Sequence, residues 1–439
     1  MFSLITVRLP WLSCLLSSTV LGATLLVPED HATIQAAIDA AQPGDEIWVA
    51  AGTYRPSSAG QSDARQATFH LVPGISVLGG FDGVGTLRDQ RDPVANPTIL
   101  SGDLAGDDTG PLDDPSSGEN AYHVVTARNV EDVVLDGLVI RAGRNGTIEL
   151  NRTSDSPFYM ATGQGAGMYS MNSGVTIRNC VFTANRVLGY GGGVYNEDSR
   201  VRLENCTFYN NEVAAYEHEI TTGGGGMANV DSIVTLVNCV FVRNSGAHSG
   251  GGLYNWRSNV FLVNCTLMGN SGGGIFNKGG PLTVTNSILW TDEETGLSET
   301  AQIRSTSYES TDISVSFSCI QGGWSAGGTG NLSQDPLFVD STAGDLHLAA
   351  QSPCIDAGSN AAPDLPATDR DGRARIVNAT VDMGAYEWSP PDDANSKPGS
   401  DANPICSFWP LCGFGAAQGL VLTLAALPLL GYRSRRLPF

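Results

Sequence analysis

The chain has 439 residues, of which 53 are glycine and 16% are charged, against a typical charged share of ~25%. A formal net charge of −21 argues against a nucleic-acid partner, because phosphate backbones need a basic face. Glycine without a Gly-X-Y period excludes collagen, and 41% apolar residues excludes a disordered chain; what remains is an all-β composition with many tight turns.

The chain opens with a single arginine, Arg8, then an apolar run from Leu9 to Leu21 and the small pair Gly22-Ala23. The run is shorter than the ~20 residues of a spanning helix, so the pattern predicts a secretory signal peptide over residues 1–23. Ile34–Ala41 (IQAAIDAA) then carries apolar residues at helical spacing ahead of Pro43-Gly44-Asp45. This stretch predicts a short amphipathic helix capping the open end of a repeat array. Ile75–Leu78, Thr98–Leu100 and Val133–Ile140 read as early strands.

Between Gly102 and Asn120 lies a Gly/Pro-rich loop with Asp103, Asp107, Asp108, Asp113, Asp114 and Glu119 and no basic residue. Ca²⁺ takes 6–8 oxygen ligands, so the five aspartates are candidate Ca²⁺ ligands; the other reading is a solvated acidic loop, and the spacing fits no EF-hand.

Five segments then align without a gap: MYSMNSGVTIRNC from Met168, VYNEDSRVRLENC from Val194, MANVDSIVTLVNC from Met227, LYNWRSNVFLVNC from Leu253 and IFNKGGPLTVTNS from Ile275. Each follows a glycine-rich turn, and the apolar residues within each alternate, as a strand with one inward face requires. Coils of about 22–26 residues without a helical period predict a parallel β-helix solenoid. Stacking puts Cys180, Cys206, Cys239 and Cys265 in one internal column, and Phe182, Phe208 and Phe241 in another. It also makes three asparagine columns, headed by Asn179, Asn185 and Asn196. The cysteine column reads as small buried hydrophobes rather than a disulfide framework. The pairing of Cys319, Cys354, Cys406 and Cys412 stays open.

One coil spacing is 33 residues instead of 26, and the extra residues include Tyr216-Glu217-His218-Glu219. Insertions project from one face of a solenoid. Arg186 and Tyr190 fall in the same turn one coil earlier and His248 one coil later. Arg186, Tyr190, Glu217, His218, Glu219 and His248 are therefore the candidate site residues, for acid–base chemistry or sugar binding. The other reading is an exposed polar loop. Lys278, the one lysine of the body, sits in a Lys-Gly-Gly turn and reads as solvated.

Residues 24–330 are expected to form the β-helix and residues 331–388 a closing module. The linker and sorting motif follow at 389–412, then a transmembrane anchor at 413–439. The linker is SPPDDANSKPGSDANP; the anchor holds 19 uncharged residues, Phe414–Tyr432, and then Arg433-Ser434-Arg435-Arg436. The two ends together hold three acids and five bases, so the body alone carries −23.

VPEDHATIQAAIDAAQPGDEIWVAAGTY resembles the amino-terminal cap of pectin-lyase-like right-handed β-helices. The Gly-Gly-Gly-aliphatic-Tyr-Asn and Phe-x-x-Asn units are similar to polymorphic outer-membrane protein repeats. DPLFVDSTAGDLHLAAQSPCIDAGSN resembles the closing module of choice-of-anchor β-helix proteins, and the tail resembles C-terminal sorting signals of bacterial surface proteins. The resemblance implies a single right-handed parallel β-helix, exported to the bacterial cell surface or envelope. Its partners are then a polysaccharide or surface glycan, C-terminal sorting machinery, and the membrane through the C-terminal helix. Pectate-lyase Trp-x-Asp-His and polygalacturonase Asn-Thr-Asp and Gly-His-Gly patterns are absent. The expected function is adhesion or glycan binding without catalysis; the alternative is a Ca²⁺-dependent polysaccharide lyase or glycosidase.

Overall fold

The computed structural model describes residues 22–83, 87–108, 115–146, 163–214, 222–247, 249–291, 302–305 and 312–390. Residues 1–21 of the expected signal peptide and the expected linker and anchor from 391 onward lie outside them. Among the described residues no helix is long and apolar enough to cross a membrane.

The repeat becomes a stack of parallel coils. Three long sheets of ten, nine and eight strands run along the stack, with a fourth of four short strands. Every ladder in these four sheets is parallel and joins one coil to the next. In the ten-stranded sheet, Val175 lies opposite Val201, Val201 opposite Val234 and Val234 opposite Val260. Alternation therefore gives the same inward face to every coil. One continuous apolar core results, from Val27 to Ile320.

Within that core Phe208 stacks on Phe182 (centroids 4.9 Å, 6° between planes) and on Phe241 (4.4 Å, 3°). The four cysteines of the internal column are buried beside them. The asparagine columns divide by task. Asn179, Asn205, Asn238, Asn264 and Asn286 all have φ between 51° and 56°, the left-handed corner that asparagine tolerates. Asn185, Asn211, Asn244 and Asn270, also linked side chain to side chain (3.0 Å each), bond backbone carbonyls of the preceding coil. The glycine turns have a steric cause at Gly191: its φ is 68°, and a Cβ there would meet Val194 O at 2.3 Å.

Ile34–Ala40 is a helix whose Thr33 side chain accepts from Ala36 N at the amino end. It buries Ile34, Ala37 and Ile38 in the common core.

After Ile320 the chain returns once more to the stack, where Leu332 bridges Cys319 in parallel, and then leaves the coil path. Phe338–Asp340 and Asp345–Leu348 form the one antiparallel pair among the described strands. The segment that follows turns back along the outer flank of the nine-stranded sheet. Asn286 Nδ2 donates to Ser359 O (3.1 Å), Asn264 Nδ2 to Asp382 O (3.0 Å) and Asn238 Nδ2 to Thr368 O (3.0 Å). Ala385 N donates to Thr266 Oγ1 (3.0 Å), and Arg202 pairs with Asp364 (3.3 Å). A second apolar cluster forms beneath, with Val240, Val242 and Met268 of the solenoid against Leu346, Ala385 and Tyr386. The left-handed asparagine column thus serves as the docking rail for the carboxy-terminal segment.

Candidate functional site

The rail is covered unevenly. Asn286, Asn264 and Asn238 bond the docked segment, whereas Asn205 Nδ2 donates to Asn179 Oδ1 (3.3 Å) and Asn179 Nδ2 to Asp136 Oδ1 (2.8 Å). Where the cover ends, a cavity of about 370 Å³ opens on the flank. Leu138, Val139 and Val181 make its apolar floor, and Asn179 and Asn205 present their side chains to it. Arg91 with Pro93 bounds one side and Arg370-Asp371 the other.

Each charge around this cavity is held by a neighbour. Arg91 Nη2 lies 2.7 Å from Asp136 Oδ2, and Arg91 Nη1 donates to Gly79 O (3.1 Å). Asp371 Oδ2 lies 2.7 Å from His347 Nε2 and 3.6 Å from Arg373 Nη1. His347 Nδ1 lies 2.6 Å from Asp345 Oδ1, and the imidazole packs on Tyr386 with centroids 4.3 Å apart. Burial opposes the charge on His347, but the two carboxylates outweigh it and its pKa is pushed up to about 9. Burial likewise opposes the charge on Asp371, but His347 and Arg373 hold its pKa below the usual carboxylate value. Arg370 donates to Thr207 Oγ1 and interacts with Tyr386 and Asp371.

Of the residues expected on the insertion edge, Glu217, His218, Glu219 and His248 lie outside the described residues. Arg186 pairs with Glu212, its register partner one coil on, at 3.7 Å. Tyr190 packs against Tyr254, with ring centroids 5.0 Å apart. Lys278 sits over the Trp256 ring at 4.9 Å. Of the acidic loop, Asp103, Asp107 and Asp108 bring carboxylate oxygens within 4.8 Å of one another; Asp113 and Asp114 lie outside the described residues.

The flank cavity itself escapes sequence reasoning. Its two sides come from Arg91 and Arg370, far apart in the chain, and only the DRDGR run at Asp369–Arg373 marks one of them by its density of charge.

A family model described as a right handed beta helix region matches residues 117–289. No curated protein matches the chain. Among solved structures the chain is similar to a pectate lyase, with a TM-score of 0.36 and 15% identity over 81% of this chain and 91% of that one. It is also similar to the pectin methylesterase from Aspergillus niger (TM-score 0.33, 13% identity, 72% and 86% of the two chains). A third is the polygalacturonase from Erwinia carotovora ssp. carotovora (0.26, 13%, 69% and 77%). The all-parallel sheets and the family model together make the fold a right-handed parallel β-helix. That fold carries no particular chemistry.

Proposed function

We propose that the chain is an exported, surface-anchored β-helix protein that binds a polysaccharide or surface glycan at the flank cavity without catalysing a reaction. One observation carries the choice of binding over chemistry. Asp371, the carboxylate at the cavity, is held ionised by His347 and Arg373. A general acid or base needs a pKa near the working pH, and the lowered Asp371 carboxyl moves away from it. What the lining offers is planar, fixed hydrogen-bonding groups (Arg91, Arg370, Asp371, Asn179, Asn205) over an apolar floor, which suits sugar hydroxyls and ring faces. The segments at 1–23 and 389–439 support export and C-terminal anchoring, with sorting machinery and the membrane as partners.

The test is binding of the full chain to a panel of neutral and uronate-containing polysaccharides, with and without Ca²⁺. Binding without product, weakened about tenfold by Arg370→Gln, a loss of ~1.4 kcal/mol, is the expected result. Release of shortened or unsaturated sugars, abolished by His218→Ala, overturns it in favour of a lyase or glycosidase on the insertion edge.

A further inference from the structure

In the nine-stranded sheet, Phe208, Leu289 and Ile320 face the core, and the residue before each faces the flank. Those flank positions stack in register as Thr207, Val240, Thr266, Ile288 and Cys319. The carboxy-terminal segment covers this column almost residue by residue. Tyr386 and Ala385 pack with Val240, and Ala385 N donates to Thr266 Oγ1 (3.0 Å). Gly384 lies so close to Ile288 that a Cβ there would meet Ile288 Cδ1 at 2.8 Å.

The next residue of that segment, Met383, donates through its N to Cys354 O (3.0 Å), which brings Cys354 to Cys319 at the end of the column. Ile288, Cys319, Leu348, Cys354 and Met383 form one buried cluster. Both thiols are free and hydrogen-bonded to each other, and that contact together with burial pushes the Cys319 thiol up. Cys319 Sγ also donates to Gln334 O (3.1 Å). The inward column of Cys180, Cys206, Cys239 and Cys265 is different. Neighbours stacked in parallel register point the same way with ~4.8 Å between coils, more than the ~3.5–4.5 Å between Cβ atoms that a disulfide needs. Cys319 and Cys354 meet instead from two packed layers.

We propose that Cys319 and Cys354 form a disulfide that fastens the carboxy-terminal segment to the end of the solenoid. The oxidant is a second disulfide, of a small molecule or a protein. One thiolate of the pair attacks it, making a mixed disulfide and releasing one thiolate; the partner then attacks the bound cysteine sulfur and releases the other. The pair gives up two protons and two electrons, and the oxidant leaves as two thiols. Export, as proposed above, would supply such an oxidant. The pairing geometry depends neither on export nor on a saccharide. Arg370 and Asp371, one side of the flank cavity, belong to the segment so fastened.

The experiment refolds the full chain in a mixture of reduced and oxidised glutathione and digests it without reduction for peptide mapping by mass spectrometry. Expected is a linked Cys319–Cys354 peptide, with Cys180, Cys206, Cys239 and Cys265 recovered as free thiols. The Tm of this oxidised chain should exceed that of chain refolded in dithiothreitol by about 5 °C, the gain from closing a loop of about 35 residues. Cys354→Ala should abolish that redox difference and Cys206→Ala should keep it; the wild-type peptide map needs no variant to fold. Recovery of Cys319 and Cys354 as free thiols, a link from either to another cysteine, or an undiminished redox difference in Cys354→Ala overturns the proposal.

Discussion

His347 Nε2 lies 2.7 Å from Asp371 Oδ2 while His347 Nδ1 lies 2.6 Å from Asp345 Oδ1, so one imidazolium clasps two carboxylates across the docked segment. The histidine pKa is raised to about 9 from an ordinary 6.5, and both aspartates are lowered. For the histidine, the stabilisation is complete below pH 6.5 and is lost as pH rises through about 9. For the aspartates it is complete above their ordinary values and is lost as pH falls through the lowered ones. Denaturation of the full chain across pH 5–10 should show the segment weakening by on the order of 2 kcal/mol between neutrality and pH 10, after allowing for partial exposure. His347→Gln should flatten that slope; an unchanged slope would mean that the clasp contributes nothing.

The phenylalanine stack predicts a graded response. Phe208 is fully buried between Phe182 and Phe241, so Phe208→Ala opens a cavity in mid-column and should cost ~3–5 kcal/mol in urea unfolding. Phe208→Leu should cost much less, because the same column already continues as Leu267 and Leu289.

The two kinds of asparagine column should separate cleanly. Asn211 Oδ1 accepts from Asn185 N (3.3 Å) and Asn185 Nδ2 (3.0 Å), and its Nδ2 donates to Phe182 O (2.8 Å). Asn211→Ala strands these buried groups and should cost about 3 kcal/mol or more. Asn205 holds φ 56° at the flank, so Asn205→Gly should stay within ~1 kcal/mol, whereas Asn205→Val forces a β-branched residue into the left-handed region. Equal losses for Asn211→Ala and Asn205→Gly in the same unfolding assay would show that the columns share one role.

The coils were readable because stacking repeats identical residues in register. Arg186 shows how far that logic reaches: Glu212 follows Asn211 as Arg186 follows Asn185, so their ion pair was implicit in the same alignment that put Arg186 on a reactive edge. The docking of the carboxy-terminal segment was not readable. Asn238 and Thr368 are 130 residues apart, and the contact joins a repeated side chain to a backbone carbonyl, which has no sequence signature. For the same reason the flank cavity, bounded by Arg91 and Arg370, stayed hidden. The acidic loop stood out in the sequence by charge alone, but the approach of Asp103, Asp107 and Asp108 to one another needed coordinates.

The cysteine column offers the last test, because it separates packing from redox chemistry. Cys180, Cys206, Cys239 and Cys265 are free and wholly buried, and burial pushes the Cys180, Cys206 and Cys239 thiols up, away from the reactive thiolate. Iodoacetamide should leave the Cys206 peptide unmodified in the native chain and label it fully after denaturation without reductant. The column continues as Ser287 and Ser318, and Ser287 Oγ donates to Thr285 O at 2.9 Å, two residues back. Cys206 Sγ faces Glu204 O in the same geometry, at 3.4 Å. Cys206→Ser should therefore find a ready acceptor and cost less than about 1.5 kcal/mol, despite placing a hydroxyl in an apolar core. Cys206→Leu, though more apolar, overfills a column one strand spacing deep and should cost at least as much as the serine. If leucine stabilises and serine unfolds the chain, the column is held by hydrophobicity alone and its sulfur-to-carbonyl contacts are incidental.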